Sequence, residues 1–149
     1  MSTRRVVLLI LALIGAAMGL VFWGGPVDED EQVRRVIQEV ADAAEDSNNH
    51  RIQGLIHPDY SDPAGLNKKS LQGVLAHQFL TRGRIVIVLG PILVSRDGDT
   101  AEASFNAVIV EGLDGYGLDG DGRHFTVDLV RVEGDWLIIG SDNSDRVLE

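Results

Sequence analysis

The spacing of apolar residues changes at Gly83, and this change limits the fold class more than any other feature of the chain. Between Val33 and Gly83, apolar residues recur every three or four positions, which is the period of an amphipathic helix. After Gly83, apolar residues alternate with polar ones or form β-branched runs, which is typical of strands. Helices that all precede the strands predict an α+β domain with an antiparallel sheet.

Three helices are predicted in the first half. The first ends near Ser47, the second fits His50–Ile56 and is stopped by Pro58, and the third follows the cap Asn67 and runs to about Leu80. The apolar stripe of the first helix consists of Val33, Val36, Ile37, Val40, Ala41 and Ala44. The inward face of the third helix is predicted to consist of Leu71, Val74, Leu75 and Phe79.

Four strands are predicted after the helices, joined by turn sequences such as RDGD and EGD. They are Arg84–Val94, Thr100–Val110, His124–Val132 and Trp136–Ser141. Strict alternation in the second and third strands predicts that one face of a sheet of four or more strands packs on the helices. The first strand lacks alternation, so burial on both faces is expected. In the third strand, Phe125, Val127 and Leu129 are expected to point inward.

An uncharged apolar run of eighteen residues, Val6–Trp23, precedes this domain. As a helix it is roughly 27 Å long, close to the thickness of a bilayer core. Arg4 and Arg5 lie before it and the acidic stretch Asp28–Glu31 lies after it, which predicts a cytoplasmic N-terminus and an extracytoplasmic domain, in the bacterial periplasm. A cleaved secretory signal is the alternative. The continuation of the run to Trp23 favours an uncleaved anchor, with residues 1–27 as tip, anchor and linker and residues 28–149 as one domain.

Charge and composition exclude several functions. The formal net charge of −10 disfavours contact with a phosphate backbone, so no nucleic-acid partner is expected. The chain contains no cysteine, which rules out disulfides and thiolate chemistry. No motif for a cofactor or a metal is present, and neither is predicted.

The stretch Glu111–Asp121, EGLDGYGLDGD, resembles a calcium loop at first sight. A calcium hand needs oxygen ligands at positions 1, 3 and 5, glycine at 6 and glutamate at 12. Counting from Asp119 puts Arg123 at position 5, and counting from Asp114 puts Tyr116 at position 3. The stretch is therefore predicted to be a long hairpin loop without a metal.

Local phrases and the order of elements resemble the nuclear transport factor 2-like superfamily. The phrases are the acidic first helix, LIHPDYSDP (Leu55–Pro63) and FTVDLVRVEGDWLI (Phe125–Ile138), which is similar to the closing hairpin of that family. The resemblance covers about Glu31 to Asn143. It implies three helices packed on a curved antiparallel sheet, in the shape of a cone that encloses a pocket.

Two functions are compatible with that resemblance. The first is a membrane-tethered binding or assembly module, which holds a small apolar ligand in the pocket or a protein partner, or a second copy of the chain, on the sheet. The second is a small enzyme of the dehydratase or isomerase kind, with an acid–base residue among His57, Asp59 and Tyr60. The absence of an inward carboxylate on the predicted strands favours the first. The expected pocket residues are Tyr60, Phe79, Phe105 and Trp136.

Overall fold

The computed structural model describes residues 28–111 and 120–144. The helices are α1 (Glu29–Glu45), α2 (Asn49–Gly54) and α3 (Lys68–Thr81), and the strands are β1 (Ile85–Leu89), β2 (Leu93–Asp97), β3 (Thr100–Glu111), β4 (Gly120–Val132) and β5 (Asp135–Ser144). All helices precede all strands, and the sheet is antiparallel, which confirms the predicted α+β class.

Two predicted features lie outside the described residues. These are the apolar run Val6–Trp23 and most of the loop Glu111–Asp121. Within residues 28–111 and 120–144, no helix is both long enough and apolar enough to cross a bilayer.

Side-chain caps fix where the three helices begin. Asp28 accepts a hydrogen bond from the backbone of Asp30 at 3.3 Å, and Asn48 caps α2 in the same way. Asn67 and Ser70 form a reciprocal capping box at the start of α3. These short polar residues satisfy backbone N–H groups that have no partner inside a helix, so the helix starts follow from local sequence.

The sheet has the order β1-β3-β4-β5. Strands β1 and β2 both pair with the edge of β3 opposite β4, β1 with residues 107–111 and β2 with residues 100–104. The predicted single strand Arg84–Val94 is therefore two strands. The break falls at Gly90 and Pro91, where the proline has no N–H to donate to β3.

The expected burial of this first strand on both faces is wrong. In β1, Val86 is 36% exposed and Val88 is 57% exposed, while Ile87 between them packs against the core. The apolar residues of β1 thus cover both faces of the sheet, but the helices cover only one.

The alternation predicted for the next two strands is confirmed. Ala101, Ala103, Phe105 and Ala107 of β3 are buried, as are Val127 and Leu129 of β4. They form the core together with the apolar side of α1, where Val33 and Ile37 are buried. The two-residue turn Glu133–Gly134 between β4 and β5 has positive φ at both positions, which suits the twist of a tight hairpin.

Helix α3 packs more loosely than α1. Leu71, Leu75 and Phe79 are half-buried against the core, as predicted, but Val74 is 38% exposed and does not belong to the inward face. Position 74 lies about 100° around the helix from position 75, and one side of α3 is enough to cover the sheet.

Ion pairs tie the start of α1 to the sheet. Glu29 contacts both Arg96 of β2 and Arg131 of β4, the latter at 2.6 Å. Arg131 also reaches Asp99 in the β2–β3 turn at 2.8 Å and lies 5.4 Å from the centre of the Trp136 ring. The first helical turn after the linker is therefore held in a fixed position on the sheet.

Candidate functional site

A cavity of about 290 Å³ lies between the helices and the inner face of the sheet. This volume is at the lower end of the range of small-molecule sites, roughly 300–1,000 Å³. All three helices and strands β1, β3, β4 and β5 contribute to its wall. The described lining residues are Ile37, Val40, Ala41, Ala44, Ile52, Ile56, Tyr60, Leu71, Leu75, Ile87, Leu89, Phe105, Ala107, Ile109, Phe125, Val127, Ile138 and Ser141.

The wall is aliphatic and aromatic over nearly all of its extent. Phe105 and Phe125 face each other across β3 and β4, with their rings stacked at 5.6 Å between centroids. The small side chains of Ala41, Ala44 and Ala107 leave the space that the cavity occupies. Such a surface favours an apolar ligand, because apolar area removed from water drives the association.

The polar groups of the wall meet at one place. The Tyr60 hydroxyl lies 2.7 Å from the Ser141 hydroxyl and 3.0 Å from the Asp62 carboxylate. The other carboxylate oxygen of Asp62 accepts a hydrogen bond from the backbone N–H of Leu66 at 3.0 Å. Tyr60 is 3% exposed and, within the described part of the lining, is the one titratable side chain.

Tyr60 reaches this position because the segment after α2 runs beside β5. The His57 N–H donates to the Ile138 carbonyl, the Ile138 N–H donates to the Leu55 carbonyl, and the Ser61 N–H donates to the Ile139 carbonyl, at 2.8, 2.8 and 3.1 Å. The segment thus forms hydrogen bonds with backbone groups of β5 on the side of that strand opposite β4, where β5 is the edge of the sheet.

Ser141 points into the cavity because of a bulge in β5. Leu129 pairs with Ile138, but the preceding residue of β4 pairs with Gly140, so Ile139 is an extra residue. Without the bulge, alternation from Ile138 would point residue 140 inward and Ser141 outward. An extra residue reverses the facing of every later side chain in the strand. The bulge therefore puts a hydroxyl where regular pairing would put glycine.

The environment of Tyr60 keeps its hydroxyl protonated. Burial raises the pKa of Tyr60 above its ordinary value of 10.0, the hydrogen bond with Ser141 lowers it, and the interaction with Asp62 raises it again. The net shift is upward, because removing the phenolate from water is costly and a nearby carboxylate repels it. At neutral pH the group can donate a proton or a hydrogen bond, but it is not a base.

The structure separates the four residues expected to line the pocket. Tyr60 and Phe105 are in the wall of the cavity, whereas Phe79 packs against the core without being in the described lining. Trp136 is buried at a separate depression beside α1, under Arg131. It lies outside the cavity because it is at the opposite end of β5 from Ser141, although it belongs to the same core.

The trio His57, Asp59 and Tyr60 does not converge on the cavity. His57 Nδ1 accepts a hydrogen bond from the Asp59 backbone at 3.0 Å, which makes these two residues part of a polar turn. Neither one lines the cavity, and Asp59 is exposed. Asp62 and Ser141, which complete the polar group at the cavity, were not predicted from the sequence. Asp62 is two residues from Tyr60 in the same quoted phrase, but nothing in the sequence links Ser141 to either residue.

A second polar cluster lies on the outer face of the sheet. His124 Nε2 is 3.0 Å from the Ser104 hydroxyl, and His124 Nδ1 is 2.9 Å from the Asn106 side-chain oxygen. The order of groups resembles a nucleophile, a base and an orienting amide. However, Ser104 lies in a strand paired on both sides, so its backbone is committed to the sheet and supplies no donors for an oxyanion.

Comparison with known proteins identifies the fold. No family model and no curated protein matches the chain. Among solved structures, an NTF2-like protein of unknown function from Pseudomonas putida is 20% identical, with a TM-score of 0.68 over 81% of this chain and 89% of that one. The "putative dehydratase from the NTF2-like family" of Streptomyces avermitilis is 21% identical, with a TM-score of 0.67 over 81% of this chain and 97% of that one.

A longer protein shares the same fold. Bd1075 of Bdellovibrio bacteriovorus is 13% identical, with a TM-score of 0.68 over 80% of this chain, but the chain spans only 41% of that protein. Similarity at these identities extends to the fold and not to the activity. The described residues thus have the NTF2-like fold that the phrases Leu55–Pro63 and Phe125–Ile138 implied.

Proposed function

We propose that this NTF2-like domain is a binding module that holds one small, mainly apolar ligand in the cavity between its helices and its sheet. The observation that carries the proposal is the wall itself, which is apolar except where Tyr60 and Ser141 meet. Sites for small ligands commonly combine an apolar wall with a few polar groups that fix orientation.

The chemistry of the wall supports binding over turnover. Proton transfer to and from a substrate needs an acid and a base that both reach it. Among the described lining residues, Tyr60 alone can titrate, and its raised pKa keeps it in the donor form. Its partner Asp62 contacts the hydroxyl of Tyr60 but does not line the cavity.

A cavity-filling variant tests the binding proposal. Ala107 is 3% exposed and points into the cavity from β3, so Ala107→Leu occupies the space without touching the polar groups. Ala76→Leu makes the same change on the exposed side of α3 and serves as the control. Calorimetric titration of the full chain in nanodiscs with menthol should give saturable heat for the parent and Ala76→Leu, and none for Ala107→Leu. Equal heats in all three would refute the proposal.

A dehydratase is the second candidate, supported by the hydrogen-bonded Tyr60–Asp62 pair at the cavity and by the name that the Streptomyces neighbour carries. In such an enzyme Tyr60 would protonate the leaving hydroxyl, and the phenolate so formed would take up the proton lost from the adjacent carbon, so that water leaves and Tyr60 regains its proton. An apolar β-hydroxy ketone, 4-hydroxy-4-phenylbutan-2-one, tests it. Formation of the enone, lost in Tyr60→Phe, would favour the enzyme, whereas binding without enone would favour the module.

We also propose that Val6–Trp23 anchors the domain in a membrane, with the domain on the extracytoplasmic side. The proposal rests on the length of the apolar run and on Arg4 and Arg5 before it. Because the chain has no cysteine, Glu133→Cys gives a single thiol in the exposed β4–β5 turn. A membrane-impermeant maleimide should label it in intact cells of the expression host, and carbonate should not extract the protein. Labelling only after lysis would contradict this orientation.

The outer face of the sheet is proposed to pair with a second copy of the chain. Val86 and Val88 of β1 lie beside Val110 and Val108 of β3 on that face, and Val88 is 57% exposed. Covering this apolar surface would stabilise a dimer. Val88→Cys should form a disulfide-linked dimer on oxidation, and Glu133→Cys should not. A protein partner on the same face is the alternative, and absence of the cross-link would favour it.

A further inference from the structure

The three polar groups at the cavity form a chain of hydrogen bonds whose direction is fixed. A carboxylate can only accept hydrogen bonds, so the proton between Asp62 and Tyr60, whose oxygens are 3.0 Å apart, belongs to Tyr60. A phenol has one proton. The contact of 2.7 Å between Tyr60 and Ser141 must therefore use the proton of Ser141. Ser141 donates to Tyr60, and Tyr60 donates to Asp62.

This direction determines what the cavity offers to a ligand. Both hydroxyl protons are committed to the chain, so only the lone pairs of Ser141 and Tyr60 remain available in the wall. A ligand that brings an O–H or N–H group can donate to them. A carbonyl or carboxylate at the same place would meet another acceptor and would lose its hydrogen bond with water without replacement.

We propose that the cavity selects apolar compounds carrying a hydrogen-bond donor, such as a hydroxyl group, against the corresponding carbonyl compounds, and that Asp62 sets this selectivity although it does not line the cavity. The inference rests on the proposed binding function. Asp62 acts as a positioning residue, because it reaches the ligand only through Tyr60 and Ser141.

The variant Asp62→Asn should reverse the chain. The Asp62 oxygen Oδ1 accepts the N–H of Leu66 at 3.0 Å, and in asparagine only the amide oxygen can keep that bond. The amide nitrogen then faces Tyr60 and donates to it. Tyr60 in turn donates to Ser141, and the proton of Ser141 becomes available to the ligand. A carbonyl compound can accept that proton, so the variant should bind it better than the parent does.

Menthol and menthone test this pair of predictions, because they share one carbon skeleton and differ in a hydroxyl and a carbonyl group. The full chain in nanodiscs is titrated with each compound, and the heats of Ala107→Leu provide the baseline for partition into lipid. We expect the parent to bind menthol about tenfold more tightly, since one unmatched hydrogen bond has roughly this effect. In Asp62→Asn the two affinities should come within about twofold.

Two further variants make the test specific. Asp59→Asn makes the same change of charge in an exposed residue outside the cavity, and it should keep the preference of the parent. Ser141→Ala removes one of the two acceptors in the wall, so it should weaken menthol binding, while the lone pairs of Tyr60, which still donates to Asp62, keep the preference for menthol. Thermal melts followed by circular dichroism verify that each variant is folded.

The outcomes separate the two ideas. If the parent binds neither compound above the Ala107→Leu baseline, the proposed binding function fails, and the selectivity fails with it. If the parent binds both equally, or if Asp62→Asn keeps the preference for menthol, the cavity binds ligands but the directed chain does not select them.

Discussion

Gly140 lies where the segment carrying Tyr60 passes close to the bulge of β5. A Cβ at this position would be 3.1 Å from the Ser61 carbonyl oxygen and 3.5 Å from an Asp128 carboxylate oxygen. The Ser61 backbone cannot move away from residue 140 without breaking the hydrogen bond that its N–H donates to the Ile139 carbonyl at 3.1 Å. We therefore expect Gly140→Ala to strain the packing of this segment on β5.

The expected magnitude combines two opposing effects. Overpacking a close-packed site lowers the free energy of unfolding by about 1–3 kcal/mol. Replacing glycine reduces the freedom of the unfolded chain, which raises it by about 0.4–1 kcal/mol. Gly140→Ala should therefore destabilise the protein by about 1–2 kcal/mol. It should also weaken menthol binding, because moving Ser61 separates Tyr60 from Ser141.

Gly73→Ala is the matched control. Gly73 lies in the interior of α3, and a Cβ there would meet nothing within 4 Å. Alanine in a helix interior is favoured over glycine by about 0.5–1 kcal/mol, so this variant should be more stable than the parent. Urea unfolding of the full chain, followed by circular dichroism, measures both. A Gly140→Ala variant as stable as the parent would show that the segment does not pack on β5 as described.

Three other predictions concern the core, the cavity tyrosine and the ion pairs. Leu129 is 1% exposed, so Leu129→Ala should lower the free energy of unfolding in urea by about 2–5 kcal/mol; a loss below about 1 kcal/mol would contradict its place in the core. Burial raises the pKa of Tyr60 in the folded protein, so the unfolded chain loses this proton first as pH rises past about 10. The free energy of unfolding then falls with rising pH until the pH passes the pKa of Tyr60 in the folded state. The difference in stability between the parent and Tyr60→Phe should therefore shrink above that pH, and a constant difference would be inconsistent with a buried phenol. Glu29→Ala removes the carboxylate shared by Arg96 and Arg131, so it should lower the melting temperature, and high salt should reduce the difference from the parent.

Local features of the sequence were enough to predict most of the fold. The cap Asn67, the turn Glu133–Gly134 and the alternation along Thr100–Val110 each act over a few residues. The split of Arg84–Val94 was missed although Gly90 and Pro91 mark it. A run of β-branched residues on both sides of the break resembles one buried strand, and only the pairing with β3 distinguishes the two halves.

Only part of the candidate site could be predicted from the sequence. Tyr60 and Phe105 were placed at the cavity, because an aromatic residue in an inward strand position or at the end of a helical hairpin has few other places to pack. Phe79 and Trp136 are as apolar as those two, but the inward side of the sheet is longer than the cavity, and hydrophobicity does not tell which part of it a side chain reaches.

The order of helices and strands, the turns and the inward faces of β3 and β4 follow from the amino-acid sequence, because they depend on backbone preferences and on spacing between near neighbours. The chemistry of the cavity follows only from long-range packing. Tyr60 and Ser141 are 81 residues apart, and they meet only because one segment pairs with the edge of β5 and the extra residue Ile139 turns Ser141 inward. Such contacts depend on long-range register, and a shift of one residue would have put the hydroxyl on the opposite face of the sheet.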